Sequence, residues 1–392
     1  MVEKEGQPVV SAVRELLPVL RDRAQEAEDA RVVPAESVKA LAEAGLFRLL
    51  QPGRFGGYEA DPLTFYSAVR LVASACGSTG WVSSVVGLHP WHVGLFPLRA
   101  QEEVWGDDPA TRISSSYAPT GKAEAVAGGY RLSGRWSFSS GCDHCRWVLL
   151  GSFVFADGKP VDFRTFLLPI SDYRIDDVWD TVGLRGTGSN DIVVEDVFVP
   201  EHRSLSFTDM HRCKVPGQEA NPAPLYRLPY GSVFSCCITA AIIGMATGAY
   251  DAHVDYQRKR VRASYAGQRA AEDPHSQVRV ATAASEIDAA WLALERNMTE
   301  LMDCARAGEK IPLPLRLRIR RDQVLGTGRS ISAIDLLFEN SGGRALAHGT
   351  PIQRFWRDAH AGRVHAINDP ERALSMFGRA EFGLDVGPDA ML

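Results

Sequence analysis

The hydrophobic pattern changes its period twice along the chain, and this limits the folds that the sequence can adopt. Up to about residue 110, apolar residues recur at helical spacing, as in "PAESVKALAEAGLFRLL", where Pro34 stands at a favourable first helical position. From about 112 to 205 the period is two, in short segments such as "RWVLLGSFVF" and "DIVVEDVFVP". Long helical segments follow from about 228. We therefore predict a helical domain at 1–111, a β domain at 112–215 and a helical bundle at 228–392.

The C-terminal region has the helix lengths of a four-helix bundle. The segment "VRVATAASEIDAAWLALERNMTELMDCARAG" covers roughly eight turns at 3.6 residues per turn. "PLRLRIRRDQVLGTGRSISAIDLLFENSGG" is nearly as long and ends at Gly342 and Gly343, a natural helix terminus. With helices predicted before them at 234–262 and after them at 351–366, these segments predict a four-helix bundle. The expected fold class is mainly α, with a β-barrel or β-sandwich domain in the middle of the chain.

Composition argues against nucleic acids and membranes as partners. The 392 residues have a net charge of −5, so no broad attraction to nucleic acid or to anionic lipid is expected. No segment offers about 18 uninterrupted apolar residues, so no membrane span is predicted. The first residues lack an apolar run of the signal-peptide type, and the odd number of cysteines, seven, favours reduced thiols in the cytoplasm.

Two short motifs invite a cofactor interpretation that their surroundings do not support. "CDHC" places Cys142, His144 and Cys145 together, but no second CxxC or HxxxH completes a tetrahedral zinc site, so no metal is predicted. "GLRGTGSND", residues 183–191, is similar to a dinucleotide-binding loop, but a strand rather than a helix follows it. The motif is a glycine-rich turn between strands or a loop that approaches a ligand, and the sequence leaves both open.

Aromatic and hydroxyl side chains stand together in the β domain. "SGRWSFSSGCDH" combines Trp136 and Phe138 with Ser139 and Ser140. An aromatic face with adjacent hydroxyl groups suits a planar ring ligand. The same residues also fit a β-domain core with serines in the following turn.

Two further segments have both a structural and a functional interpretation. "RKRVRASYAG", from Arg258, is a solvated helix terminus or a phosphate clamp, for which the arginine fork is well shaped. "GLHPWHVGLF" sets His89 and His92 among apolar residues. These histidines are either hydrogen-bonded core residues or part of the wall of an apolar pocket.

The segment "RDAHAGRVHAINDPERA", residues 357–373, combines helix-forming residues with an imidazole and a carboxylate. On a continuous helix His365 and Asp369 are four residues apart and share a face, although Pro370 disfavours ideal helical geometry there. The pair is a surface ion pair of little energetic value, or a general base whose ring a carboxylate orients.

Several long motifs together resemble a known enzyme family. The order of helices, β domain and four-helix bundle is similar to the acyl-CoA dehydrogenase fold. Within that order the chain resembles the oxygenase components of two-component flavin-dependent phenol hydroxylases, and the resemblance covers nearly all of it. The motifs concerned are "ACGSTGWVSSVVGLHPWH", "RISSSYAP", "WSFSSGCDH", "VGLRGTGSND" and "RFWRDAHAGRVHAINDPERA".

The resemblance implies a specific chemistry. A separate NAD(P)H-dependent reductase supplies reduced flavin, FMNH2 or FADH2, which diffuses to this protein as a co-substrate. Oxygen adds at flavin C4a, and the resulting hydroperoxide transfers its distal oxygen to the carbon ortho to a phenol, giving a catechol. The expected substrate is a phenolic secosteroid, and the expected assembly is a homotetramer. The alternatives are an acyl-CoA dehydrogenase-like flavin oxidoreductase, a hydroxylase of another phenol or polyketide, and a non-catalytic flavin carrier.

The resemblance also implies roles for individual residues. His365 matches the family's catalytic histidine, which would take the proton of a phenol with a pKa of about 10, and Asp369 would hold its ring. Ser140 corresponds to the serine near flavin N5. The remaining residues that the resemblance assigns are Trp81, Phe138 and Ser139 around the flavin ring, Arg260 of a neighbouring subunit at the phosphate, Ser341, Gly342 and Gly343 at the other end of the flavin, and His89 and Tyr117 at the substrate.

Overall fold

The computed structural model describes residues 6–156, 158–262 and 267–387. Helices occupy both ends of this part of the chain. The N-terminal helices are α1 Gln7–Asp22, α2 Ala24–Ala30, α3 Ala35–Glu43, α4 Pro62–Ala75, α5 Gly77–Val93 and α6 Leu98–Trp105. After the strands come α7 Phe207–His211, α8 Gly217–Ala220, α9 Tyr230–Lys259, α10 Pro274–Arg306, α11 Leu313–Ser341, α12 Pro351–Arg363 and α13 Pro370–Glu381.

The middle of the chain forms one mixed sheet. Its strands are β1 Ile113–Val126, β2 Gly129–Ser139, β3 Trp147–Ala156, β4 Lys159–Pro169, β5 Arg174–Asp176, β6 Asn190–Pro200 and β7 Ser204–Ser206, in the order β5-β6-β2-β1-β3-β4-β7. Strands β1 and β3 run parallel, and the other pairs are antiparallel. A short ribbon, β8 Val261–Arg262 and β9 Gln268–Arg269, follows α9. The predicted order of helices, strands and helices is confirmed.

Helix α9 is the central helix of the molecule. It packs against α4, α5, α10, α11 and α12. It is long and apolar enough to cross a membrane, but 94% of its most apolar window is buried inside the protein. Gly244 lets α4 approach closely, because a Cβ atom there would lie 2.5 Å from the carbonyl oxygen of Arg70. Its apolar character is therefore that of a core helix, closely packed through small residues.

The helix predicted at 351–366 is present as α12, but the helix face that His365 and Asp369 would share does not form. Residues 357–373 do not form a continuous helix, because α12 ends at Arg363 and α13 begins only at Pro370. Between them a single 3-10 turn covers Ala366–Asn368. His365 caps this turn, and Asp369 caps α13. A proline at the first helical position favours a new start over continuation, so the two side chains do not share a helix face.

Candidate active site

Three elements from distant parts of the sequence meet at one corner, which we call the Trp81 corner: Trp81 of α5, Ser140 just after β2, and His365 between α12 and α13. The Trp81 indole Nε1 donates a hydrogen bond to Ser140 Oγ at 3.2 Å. The Trp81 and His365 ring centroids are 5.9 Å apart. Gly362 allows this approach, because a Cβ atom there would lie 2.8 Å from the indole ring.

The imidazole of His365 is half-buried, and its hydrogen bonding defines its tautomer. The backbone N–H of Ile367 donates to Nδ1 at 3.2 Å, so this nitrogen is the acceptor. Neutral imidazole has one N–H, which must therefore lie on Nε2. Burial, with a smaller effect from the Arg320 charge, lowers the pKa of His365 to about 4. At neutral pH the ring is uncharged and presents an N–H donor.

The carboxylate of Asp369 caps helix α13 and is not directed to His365. It accepts hydrogen bonds from the backbone N–H groups of Glu371 and Arg372 at 3.0 and 3.2 Å, the contacts of a helix N-cap. No hydrogen bond joins it to His365 within the described part of the chain. The expectation that Asp369 orients the imidazole is therefore wrong here, and the Ile367 N–H takes that role.

The two residues before Ser140 have unusual conformations or surroundings. Phe138 has a left-handed backbone with φ of 71°, and its side chain is 66% exposed beside the edge of Trp179. Ser139 is fully buried, and its hydroxyl has no partner among residues 6–156, 158–262 and 267–387. A bulky residue at positive φ and a buried hydroxyl without a partner are typical of a ligand site rather than of a stable strand end.

The loop before β6 packs against Ser140. The hydroxyl groups of Ser140 and Ser189 are 2.7 Å apart, and those of Ser189 and Thr187 are 2.6 Å apart. Leu184, at φ 52°, donates its backbone N–H to Asp358 of α12 at 2.6 Å. The "GLRGTGSND" segment is thus a glycine-rich connection between β5 and β6, the first of the two interpretations above, and it also joins the Trp81 corner to α12.

A chain of aromatic rings extends from His365 into the protein. Phe234 lies 6.1 Å from the His365 ring centroid and 5.7 Å from that of Tyr117. The Tyr117 hydroxyl is hydrogen-bonded to His92 Nδ1 at 2.8 Å. His89 is fully buried and donates from Nδ1 to the Ile113 carbonyl at 2.6 Å, while burial lowers its pKa to about 4. The predicted substrate residues therefore lie behind the corner, connected to it through Phe234.

The predicted phosphate residues form a second, separate cluster. Arg260 Nη1 donates to the carbonyl oxygens of Asn340 and Ser341, both at 2.9 Å, at the end of α11. Gly342 has φ of 70°, and a Cβ atom there would lie 2.5 Å from Arg260 Nη2. The Ser341 hydroxyl faces inward, to Leu337 O and His253 Nδ1.

An open groove of about 1140 Å³ adjoins this second cluster. Its cationic lining residues are Lys259, Arg260, Arg262, Arg279 and Arg344, and Gly342 and Gly343 complete the same wall. Asp273 and Glu339 are its acidic members. An excess of arginine in a groove suits a phosphate group.

The two clusters are far apart in one chain. Ile242 of α9 lies at the Trp81 corner, since a Cβ atom at Gly362 would contact both Ile242 and Trp81. Arg260 follows 18 residues later, so the clusters are separated by roughly 27 Å along α9 at 1.5 Å per residue. One flavin ring and its first phosphate cannot reach both within a single subunit.

The cysteine pair takes no part in either cluster. Cys142 and Cys145 are buried thiols whose sulfur atoms approach the carbonyl oxygens of Gly188 and Gly141 at 3.5 and 3.3 Å. Burial raises the pKa of Cys142 to about 12 and raises that of Cys145 further. Both thiols stay protonated and serve as small core residues.

Comparison with family models and with known proteins identifies the family of this chain. Residues 4–105 match the acyl-CoA dehydrogenase N-terminal domain, and residues 236–370 match the acyl-CoA dehydrogenase C-terminal domain. The oxygenase subunit HsaA of a flavin-dependent monooxygenase from Rhodococcus jostii is 62% identical over 95% of this chain and 97% of its own length. The chain belongs to the oxygenase components of flavin-dependent monooxygenases.

Further relatives extend the family. The crystal structure of 3-HSA hydroxylase from Rhodococcus sp. RHA1 superimposes with a TM-score of 0.96 at 60% identity, covering 98% of this chain and 99% of that one. The oxygenase component of an FADH2-dependent resorcinol hydroxylase from a Rhizobium strain is 37% identical over 96% of this chain and 94% of its length. This oxygenase component is a flavin-dependent aromatic hydroxylase, and reduced flavin is its co-substrate.

The residues of the Trp81 corner fit a flavin ring. Phe138 and Trp81 offer aromatic faces, and Ser139 and Ser140 offer hydroxyl groups for ring heteroatoms. The sequence analysis assigned these four residues and His365 to the site, and their roles stay predictions. It did not assign roles to Ser189, Thr187, Phe234 or Asp358, because nothing local distinguishes a loop serine or a core aromatic from a ligand contact.

Proposed function

We propose that this oxygenase component hydroxylates a phenol, specifically a steroid-derived phenolic secosteroid, at the ortho position to give a catechol. Reduced flavin from a separate NAD(P)H-dependent reductase supplies the activated oxygen when it is bound with O2. The observation that supports the proposal is the meeting of Trp81, Ser140 and His365 at one corner beside an aromatic wall. The solved relative is named a 3-HSA hydroxylase, which supports hydroxylation as the reaction.

His365 would hold the phenol oxygen. The phenolate, formed when the phenol releases its proton to solvent, is the electron-rich form that attacks the flavin-bound oxygen, and a fixed N–H donor favours this charged form over the neutral phenol. In the tautomer that Ile367 selects, Nε2 supplies this donor. The alternative, removal of the phenol proton by His365, needs the proton on Nδ1 instead and therefore the loss of the Ile367 hydrogen bond.

The aromatic wall would keep water from the reacting atoms. Phe234, Tyr117 and Tyr230 pack with ring centroids 5.5 to 5.8 Å apart, and Nε2 of His92, behind Tyr117, has no partner in the described residues. A large apolar wall suits a steroid skeleton, and buried polar atoms without partners suit the oxygen atoms at its far end. Exclusion of water would prevent the flavin-bound oxygen from leaving as hydrogen peroxide.

We further propose that Arg260 binds the flavin phosphate of a neighbouring subunit, in a homotetramer in the cytoplasm. The separation of roughly 27 Å along α9 supports this arrangement, because one subunit cannot place both clusters on one flavin ring and phosphate. Each site would then combine the Trp81 corner of one subunit with Arg260 of another.

Mixing two defective variants tests the shared site. His365→Ala and Arg260→Ala proteins are unfolded together, refolded as mixed oligomers and assayed for catechol. If sites are shared, a pair that contains one subunit of each variant has one intact site and one site with both defects. About half of randomly formed pairs are mixed, so an equal mixture recovers about a quarter of wild-type activity. If Arg260 serves its own subunit, the mixture gives only the mean of the two variants.

Product analysis tests the reaction itself. The protein receives chemically reduced flavin, O2 and a panel of phenols that includes a phenolic secosteroid, a small phenol and an indole. Catechol formation that is fastest with the secosteroid supports the proposal. Catechol formed only from a small phenol rejects the substrate class, and acyl-CoA oxidation without any catechol rejects the reaction.

A further inference from the structure

We propose that Ser189 and Thr187 direct the proton of the Ser140 hydroxyl away from the Trp81 corner, so that Ser140 presents a lone pair and selects reduced over oxidised flavin. The proposal rests on the proposed function, because it takes Ser140 to face flavin N5. It assigns Ser189 and Thr187 as positioning residues for the co-substrate.

The direction of each proton follows from the order of the contacts. Thr187 Oγ1 lies 2.8 Å from the Leu184 carbonyl oxygen, which can only accept, so the single Thr187 hydroxyl proton is used there. The contact between Thr187 and Ser189 at 2.6 Å must then be donated by Ser189. The Ser189 proton is used in turn, so the 2.7 Å contact with Ser140 is donated by Ser140.

Ser140 Oγ has one lone pair that no protein group uses in the described residues. Its proton points to Ser189, and one lone pair accepts the Trp81 Nε1–H at 3.2 Å. A hydroxyl oxygen has two lone pairs, so one remains. Reduced flavin has an N–H at N5, which can donate to this lone pair. Oxidised flavin has a bare N5 lone pair, which would face the oxygen lone pair without a proton between them.

The terminal acceptor of this relay is held in place from several sides. The Leu184 carbonyl also accepts from the Trp179 indole at 2.8 Å and from the Thr187 N–H at 3.1 Å. The left-handed backbone of Leu184 costs roughly 1–2 kcal/mol, and its N–H is bonded to Asp358. The polarity of the relay therefore depends on a carbonyl that the fold fixes, and not on a freely rotating hydroxyl.

The test compares the affinities of the two flavin redox states. Dissociation constants for oxidised FMN and, under anaerobic conditions, for reduced FMN are measured for the wild type and for Ser189→Ala. Without Ser189 the Ser140 proton is free to turn toward N5, so the preference for reduced FMN should fall about fivefold, the value of one ordinary hydrogen bond. The potential of the bound flavin should drop by ~20 mV for this two-electron couple.

Matched variants separate the relay from general damage. Thr187→Val is isosteric and removes the hydroxyl that accepts from Ser189, so it should shift the ratio in the same direction. Ser189→Thr retains the hydroxyl and should keep the wild-type ratio. Ser330→Ala removes a buried hydroxyl that donates to Gly326 O on α11, and should leave the ratio unchanged.

The outcomes distinguish this inference from the proposed function. If Ser140→Ala changes the affinity ratio but neither Ser189→Ala nor Thr187→Val does, the relay is rejected and the flavin position stands. If Ser140→Ala changes neither affinity, Ser140 does not face the flavin, and the proposed site and the relay are both rejected.

Discussion

The His365 imidazole and the Trp81 indole face each other with their ring centroids 5.9 Å apart and their planes inclined at 59°. Gly362, three residues before His365 in the chain, permits this contact, because a Cβ atom there would lie 2.8 Å from the indole. The indole at the same time donates to Ser140. One tryptophan thus joins the residue proposed for the phenol to the residue proposed for the flavin.

Replacement of His365 tests the donor role. His365→Ala should lower catechol formation about a hundredfold, because the phenolate that reacts loses the N–H donor that stabilises its charge. His365→Gln places an amide N–H near the position of Nε2 and should retain more activity than the alanine variant. Catechol formed per flavin oxidised is the measurement, with flavin affinity as the control. Equal inactivity of both variants at unchanged flavin affinity would support proton removal by the imidazole instead.

Asp369 is expected to matter for stability and not for chemistry. Asp369→Ala removes the N-cap of α13 and should lower the free energy of unfolding by about 1 kcal/mol, while Asp369→Asn, a good cap residue, should cost little. Urea unfolding and the yield of catechol per flavin are measured on both variants. A large loss of that yield in a variant of normal stability would show that Asp369 acts on His365 after all.

Arg260→Ala should weaken binding of the phosphorylated flavins only. Its guanidinium would contact the phosphate, so a loss of about 1.5–3 kcal/mol, typical of a hydrogen bond to a charged group, is expected for FMN and FAD. Riboflavin has no phosphate and should bind the variant and the wild type equally. Arg258→Ala is the control, because Arg258 is an exposed neighbour paired only loosely with Asp255 at 3.4 Å. Equal weakening for riboflavin would argue against a phosphate contact.

Asp358 should make stability depend on pH. Burial raises the pKa of this carboxyl to about 6 from 3.8, partly offset by the hydrogen bond from Leu184. The folded protein therefore binds a proton that the unfolded chain has released, so stability falls as pH rises from about 4 to about 6 and is constant above.

Asp358→Asn removes this dependence while keeping an acceptor for Leu184. Its free energy of unfolding relative to wild type should rise by about 1.4 kcal/mol per pH unit across that window. Urea unfolding at several pH values and one protein concentration is the measurement, with exposed Asp303→Asn as the control. A flat difference would mean that Asp358 is ionised in the folded protein throughout.

The periodicity of the sequence was enough to predict the order of the secondary structure. Apolar spacing of 3.6 and of two residues is a local property, so the helices on either side of the sheet and the long core helices could be read before any contact was known. Long motifs around Trp81, Ser140 and His365 were also enough to indicate the enzyme family. These features depend on residues that are close together in the chain.

Tertiary structure alone decided how the site is assembled. The break between Arg363 and Pro370 separated Asp369 from His365, because two capping contacts together outweigh continuation of one helix through a proline. The neighbours of Ser140, on the loop before β6 and on α5, come from segments far away in sequence. The direction of the Ser140 hydroxyl proton depends on a contact of 2.7 Å with Ser189, which lies in another segment of the chain. No local sequence pattern encodes such a distance.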